Sequence, residues 1–242
     1  MPFALLIIAN SKQNPSIPQF LPQLFANPEN FSYLCTQIYN SLPTMDNIQF
    51  DKIIHLDTPG TLNNFISDQE KMALSSLKIT GYINATDIDD VLDEMCDAVG
   101  EYDEHDDYIV DFQLSPKLRI LDLGECTFVG NTKLPYFGFI APLKKMVFPK
   151  GIEYMTDEIE TGLTESETLE EVVLQDGIKV VQGLACCSNL KTINLPASVQ
   201  EVDEFAFGGC DNLQHIFIPK GERQRFEQMI GLRNFRTKLT EA

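Results

Sequence analysis

The apolar positions of the chain recur as one six-residue skeleton, Leu-x-x-apolar-x-apolar. The copies are Leu118-Arg-Ile-Leu121-Asp-Leu123, Leu143-Lys-Lys-Met146-Val-Phe148, Leu169-Glu-Glu-Val172-Val-Leu174, Leu190-Lys-Thr-Ile193-Asn-Leu195 and Leu213-Gln-His-Ile216-Phe-Ile218. Their leading leucines stand 25, 26, 21 and 23 residues apart. Two copies extend into nearly the same line, CSNLKTINLP from Cys187 and CDNLQHIFIP from Cys210. Within each copy the fourth and sixth positions alternate with polar or exposed ones, as a short strand with one buried face requires. One such strand cannot bury its own face, so a fixed period implies stacked units that shelter one another in a parallel sheet with a continuous core. Pro149, Pro196 and Pro219 follow their strands, where a residue without an N–H costs no ladder bond. A second apolar stretch then predicts the return side: Gly151 to Tyr154, Gly177 to Val181, and Ser198 to Phe207.

The line from Leu190 to Leu213, Leu-x-x-Ile-x-Leu-Pro-x-Ser-Val-x-x-Val-x-x-x-Ala-Phe-x-x-Cys-x-Asn-Leu, resembles the leucine-rich repeat of the BspA-like bacterial surface proteins. Leu118 to Phe148 lacks the Ala-Phe and the Cys-x-Asn, and Leu184-Ala185 stands where Ala-Phe would precede Cys187. Pro59 to Ile66 and Leu77 to Ile88 are similar to the amino-terminal cap of such proteins, and Ile218 to Phe226 to their carboxy-terminal ending, so the resemblance covers roughly residues 50–242. It implies an α/β fold: a right-handed leucine-rich repeat solenoid with a short parallel β-sheet, an α/β amino-terminal cap and a carboxy-terminal capping helix. It also implies a secreted or cell-surface, adhesin-like protein without enzymatic activity.

The expected organisation is a Pro-rich segment over 1–49, a cap over 50–117, repeats over 118–219 and a capping helix over 220–242. Six of the thirteen prolines fall in residues 1–49, which the resemblance does not reach. In the cap, Leu62, Phe65, Ile66 and Met72 lie at roughly helical spacing. A strand-like Leu77-Lys-Ile79-Thr follows, then a helix capped by Thr86 or Asp87, carrying Ile88, Val91, Leu92, Met95 and Val99 on one face and ended by Gly100. In the tail, Phe226, Met229, Ile230 and Leu232 are placed to close the last repeat, with Phe235 and Leu239 extending the stripe.

Charge narrows the partners. With 18 Lys plus Arg against 36 Asp plus Glu, the net charge of −18 disfavours nucleic acid and anionic membranes. No apolar run is long enough to span a bilayer. The start, MPFALLIIANSKQ, lacks a basic residue before its short apolar run and a small-residue cleavage pattern after it, so it is a weak signal peptide that equally fits a cytoplasmic protein. The six cysteines, Cys35, Cys96, Cys126, Cys186, Cys187 and Cys210, form no CxxC pair or metal spacing and read as free buried thiols.

Candidate chemistry is sparse. His55, His105 and His215 are scattered, outside any catalytic or zinc pattern. The acidic run Glu101 to Asp107 lacks the central Gly and closing Glu of a calcium loop and reads as a solvated connection between cap and repeats. Asn84-Ala-Thr86 fits a glycosylation acceptor, but Thr86 serves better as a helix cap. No cofactor or metal is implied. What remains is the outer sheet face, where the third and fifth skeleton positions point: Ile120 and Asp122, Lys145 and Val147, Glu171 and Val173, Thr192 and Asn194, His215 and Phe217. The leading expectation is ligand binding by Lys145, Val147, Glu171, Val173, Thr192, Asn194, His215 and Phe217, the partner being a protein or a host or bacterial surface component. The alternatives are an enzyme or accessory domain with its site in residues 1–49, and a purely structural module.

Overall fold

The computed structural model describes residues 48–97, 99–102, 108–111, 115–130, 132–133, 143–155, 163 and 166–242. Residues Phe50–Ala242 form one compact unit. The Pro-rich segment, apart from its last two positions, and residues 103–107 of the acidic run lie outside the described residues.

The unit opens with β1 (Lys52–Leu56), helix α1 (Asp68–Ala73), β2 (Ser76–Ile83) and helix α2 over residues 85–96. Next come an antiparallel pair, β3 (Gly100–Tyr102) and β4 (Tyr108–Val110), and the long β5 (Ile120–Phe128). The remaining strands are β6 (Lys145–Val147), β7 (Glu171–Val173), β8 (Val180–Val181), β9 (Thr192–Asn194), β10 (Glu201–Val202), β11 (His215–Ile218) and, after helix α3 (Arg223–Glu227), β12 (Leu239–Glu241).

One eight-stranded sheet organises the molecule, in the order β1-β2-β5-β6-β7-β9-β11-β12 and parallel at every pairing. Leu121, Met146, Val172, Ile193 and Ile216 sit side by side in register, the row that the skeleton requires. Leu77 extends it at one end and Leu239 at the other. All seven are buried, as are the five leading leucines. The result is an α/β repeat fold with a mostly parallel sheet and few helices.

Hydrogen bonds repeat as regularly as the apolar row. The carbonyl of Lys144 accepts from the N–H groups of Glu170 and Glu171, that of Glu170 from Lys191 and Thr192, and that of Lys191 from Gln214 and His215. A second parallel ladder on the return side links Lys133, Tyr154, Val180 and Glu201 in succession. Ile152, Ile178, Val181, Val199, Val202 and Phe207 point inward from the return segments, while Phe205 is 65% exposed.

The junction shared by CSNL and CDNL has a definite task. Cys187 Sγ donates to the Leu163 carbonyl at 2.9 Å and Cys210 Sγ to the Leu184 carbonyl at 3.1 Å. Asn189 Nδ2 donates to the Glu167 carbonyl at 2.6 Å and Asn212 Nδ2 to the Ser188 carbonyl at 2.8 Å. Each Cys-x-Asn thus ties its repeat to the backbone of the preceding one, the thiol satisfying a buried carbonyl and the amide an exposed one. Ser166, three residues before Leu169, occupies the same place and donates no sulfur; its Oγ accepts from the Leu169 N–H at 3.2 Å. Cys96, Cys126, Cys187 and Cys210 are free and buried, whereas Cys186 is free, exposed and in the left-handed region at φ 60°.

The ends depart from expectation. Helix α1 begins at Ser67, whose side chain and that of Glu70 form a capping box, so Phe65 falls outside it; Phe65 and Met72 are exposed, while Leu62 and Ile66 are buried. Lys71 takes the inward place, its Nζ 2.5 Å from Glu94 Oε2. Helix α2 is capped by Asn84, not by Thr86 or Asp87. Asp87 stands three residues in, buried, and its carboxylate accepts from the N–H groups of Gly60 at 2.7 Å, Leu62 at 2.9 Å and Asn84 at 3.0 Å. The helix buries Ile88, Val91, Leu92 and Met95 but ends at Cys96; Val99 is exposed and Gly100 starts β3. The expected carboxy-terminal capping helix is five residues long, and the chain closes the sheet instead with two short 3-10 turns and β12. Met229 is extended at ψ 135°, which ends the helical run, and Gly231 packs so closely that a Cβ there would lie 2.0 Å from the Asp203 carbonyl oxygen.

Candidate functional site

The pleat of the sheet sends alternate residues to its outer face in two rows. One runs Ser76, Ile120, Lys145, Glu171, Thr192, His215. The other contains Ile53, Lys78, Asp122, Val147 and Val173 in register across the first strands, and Asn194, Phe217 and Thr240 across the last. The eight residues expected to bind therefore do share one face.

They do not share one environment. Lys145 and Val147, expected in solvent, are only 9% and 5% exposed. β5 carries one extra residue opposite β2, a bulge that Gly124 fills, with its N–H donating to Asp122 Oδ1 at 2.9 Å. A Cβ on Gly124 would come within 2.9 Å of Val147 Cγ1 and 3.2 Å of Gln175 Nε2, so Val147 is roofed by its neighbours. Lys145 is spent on Glu171, Nζ to Oε1 2.9 Å. Asn194 is also committed: Oδ1 accepts from the Leu174 N–H at 2.7 Å and Nδ2 donates to the Leu174 carbonyl at 2.9 Å. That side chain takes over the ladder bond where the β7–β9 register ends.

The face divides accordingly. Toward β2, β5 and β6 its charges neutralise one another. Lys78 Nζ lies 2.6 Å from Glu125 Oε1 and 3.8 Å from Asp122 Oδ2, a pairing led by the Glu125 hydrogen bond that raises the Lys78 pKa and lowers that of Glu125. Among the described residues, no ion pair joins the outward side chains of β9, β11 and β12. His215, exposed, stacks on half-buried Phe217 at 5.7 Å between centroids and 18° between planes. His215 Nδ1 lies 3.2 Å from Thr240 Oγ1, and Thr192 and Val173 are half-buried beside them. Lys78 and Thr240 are missing from the sequence-based set because their strands were assigned to caps, and Glu125 because it lies beyond the six-residue skeleton that ends at Leu123. One signal could have placed the strand at Leu77 in the repeat sheet: Leu74-Ser-Ser-Leu77-Lys-Ile79 fits the Leu-x-x-apolar-x-apolar skeleton.

Among the described residues no three His, Cys, Asp or Glu side chains are grouped to hold a metal ion, and no helix is long and apolar enough to cross a membrane. Burial pushes the thiols of Cys126 and Cys187 up to about 12 and that of Cys210 to about 11, far from the thiolate a nucleophile needs.

No curated protein matches the chain in sequence. The family model described as BspA type Leucine rich repeat region (6 copies) matches residues 157–230, the part in which β7, β9 and β11, the last two return segments and the Cys-x-Asn junctions lie. The parallel register, the recurring junction and this match agree, and residues 157–230 of this chain are a BspA-type leucine-rich repeat region.

Proposed function

We propose that the protein is a non-enzymatic recognition module, a right-handed leucine-rich repeat solenoid that binds another protein through the uncharged half of its outer sheet face. Leucine-rich repeats serve protein–protein interaction generally, and repeat stacks present extended surfaces suited to it. The observation that carries the choice of surface is the contrast across the sheet: Lys78, Asp122, Glu125, Lys145 and Glu171 are consumed in ion pairs, while Val173, Thr192, His215 and Phe217 offer aromatic and apolar area with few internal commitments. Aromatic anchors of this kind dominate interface energetics. The partner is a protein or surface component, and the family's frequent surface association supports a place at the cell surface and a role in adhesion.

A photo-crosslinking residue at Thr192 tests this against the same residue at Asp176, on the return side. Capture of one defined protein from Thr192 alone, with binding of that purified protein weakened at least tenfold by Phe217→Asp in a chain of unchanged circular dichroism, is the expected result. Equal capture from both positions, or indifference to Phe217→Asp, would remove the sheet face as the site.

A further inference from the structure

The return ladder ends in an incomplete acceptor. In that ladder the carbonyl of Thr132 accepts from the N–H groups of Glu153 and Tyr154 at 2.7 and 3.1 Å, that of Glu153 from Lys179 and Val180 at 2.7 and 3.2 Å, and that of Lys179 from Gln200 and Glu201 at 2.8 and 3.1 Å. The next acceptor in the series is the Gln200 carbonyl, which takes no hydrogen bond among the described residues.

The carboxy-terminal segment closes this edge on both sides of Gln200 but not at it. On one side the Arg225 guanidinium donates to the carbonyls of Val199 and Ala197. On the other, Gly231 packs so tightly that a Cβ there would lie 2.6 Å from the Val202 carbonyl oxygen. Between them is a groove of about 520 Å3 lined by Gln200, Glu201, Val202, Arg225, Met229 and Ile230. Met229 is half-buried and Ile230 is 44% exposed, giving the groove an apolar wall. Of its two charged residues, Arg225 is paired with Glu222, whereas Glu201 is exposed and has no ion pair among the described residues. The groove is therefore left with one uncompensated negative charge, in a chain of net charge −18.

We infer that this groove takes an extended, basic peptide segment of a partner protein, which continues the return ladder at Gln200, ahead of the end of β10 that Gly231 covers. Two consecutive peptide N–H groups donate to the Gln200 carbonyl as each earlier repeat does, a Lys or Arg pairs with Glu201, and an apolar side chain rests on Met229 and Ile230. Strand addition supplies affinity from main-chain bonds and specificity from alternate side chains. The unneutralised Glu201 and the acidic whole select a cationic segment over an acidic one and over a second copy of this chain. The site is separate from the outer sheet face and does not rest on the reading given for that face.

The test titrates the full chain with an acetylated, amidated Lys-Val-Lys-Val-Lys-Val peptide, following backbone amides by NMR. Expected are shifts centred on Gln200, Glu201 and Val202. Affinity should fall at least fivefold when alternate peptide nitrogens are methylated, fall at least fivefold with Glu201→Gln, and stay unchanged with Phe217→Asp. The Glu-Val counterpart should not bind. Binding indifferent to nitrogen methylation would reduce the interaction to charge alone and overturn strand addition. Binding lost with Phe217→Asp and kept with Glu201→Gln would move it to the sheet face. A concentration-dependent dimer in sedimentation that the peptide displaces would make a second copy the occupant and overturn the basic partner.

Discussion

Two regions of the molecule solve one problem differently. From Cys187 to Ile218 each repeat is tied to its predecessor by residues that recur at the repeat period: the thiol and amide of Cys-x-Asn and the paired N–H donors before each strand. From Phe50 to Cys96 the same parallel sheet is tied by residues that occur once. Asp51 accepts from the N–H groups of Ser75 and Ser76 and from Ser75 Oγ, Asp87 gathers Gly60, Leu62 and Asn84, and Lys71 reaches Glu94. A periodic tie distributes its work over several weak bonds; a unique one concentrates it in a single carboxylate.

The largest expected effect tests that concentration. Asp87→Ala leaves one buried and two half-buried N–H groups without their acceptor, and at about 1–3 kcal/mol for an unsatisfied buried donor, less where water reaches, the loss should reach about 3 kcal/mol. Asp87→Asn keeps an acceptor and should cost roughly half as much. Urea denaturation followed by circular dichroism measures both, and a loss under about 1 kcal/mol for Asp87→Ala would show that the cap does not depend on this carboxylate.

The same contrast explains what the sequence made legible. The apolar row and the strand register followed from five copies of one skeleton, because stacked units must place equivalent residues side by side. The long ties at the front span 23 to 27 residues between partners that never recur, so no period exposes them. Asp87 looked like a cap because carboxylates favour that place; its actual acceptor role depends on the loop from Gly60 folding back across the helix. In the candidate site the shared face was legible, but its exposure was not. Val147 and Lys145 are buried through Gly124, Glu171 and Gln175, which come from β5, from β7 and from the turn after β7. The tail misled for a related reason. Phe226, Met229 and Leu232 have helical spacing, yet the last repeat needs one more strand to cover Ile216, and β12 provides it.

In the periodic region a single deletion should cost less. Cys187→Ala removes the bond to Leu163 and a little buried volume, about 1–2 kcal/mol, while Cys187→Ser, which retains a donor, should cost less than Cys187→Ala. Asn189→Ala, at a more exposed junction, should lose about 1 kcal/mol or less. Thermal unfolding of the three variants ranks them; a Cys187→Ala loss as large as that of Asp87→Ala would erase the distinction between the regions.

The buried thiols also separate from the exposed one without any change in stability. Iodoacetamide at neutral pH should label Cys186 in the folded chain and spare Cys96, Cys126, Cys187 and Cys210, whose thiols burial keeps protonated. Peptide mass spectrometry reads this directly. Labelling of Cys187 before unfolding would mean that the junction opens in the native state.

The smallest effect is a difference in acid response. Lys52, donating to Glu70, holds that carboxyl at about 2, and the Ser75 hydroxyl and N–H hold Asp51 below its ordinary value. A carboxylate depressed in the folded state contributes stability above its unfolded pKa, near 4, and loses it as the pH falls through the folded value. Glu170, paired with Lys144 and Lys191, shifts the same way in the repeats. Asp89 has the opposite sign: burial, then Asp93 and Asp90, raise its pKa, so protonation relieves it and acid stabilises the fold there. The melting temperature should therefore decline from about pH 4 toward pH 2, and Glu70→Gln should flatten that decline slightly. Asp89→Asn should raise the melting temperature at pH 7 and narrow the gain that mild acid gives, because the desolvation and the repulsion from Asp93 and Asp90 that it removes are what acid already cancels.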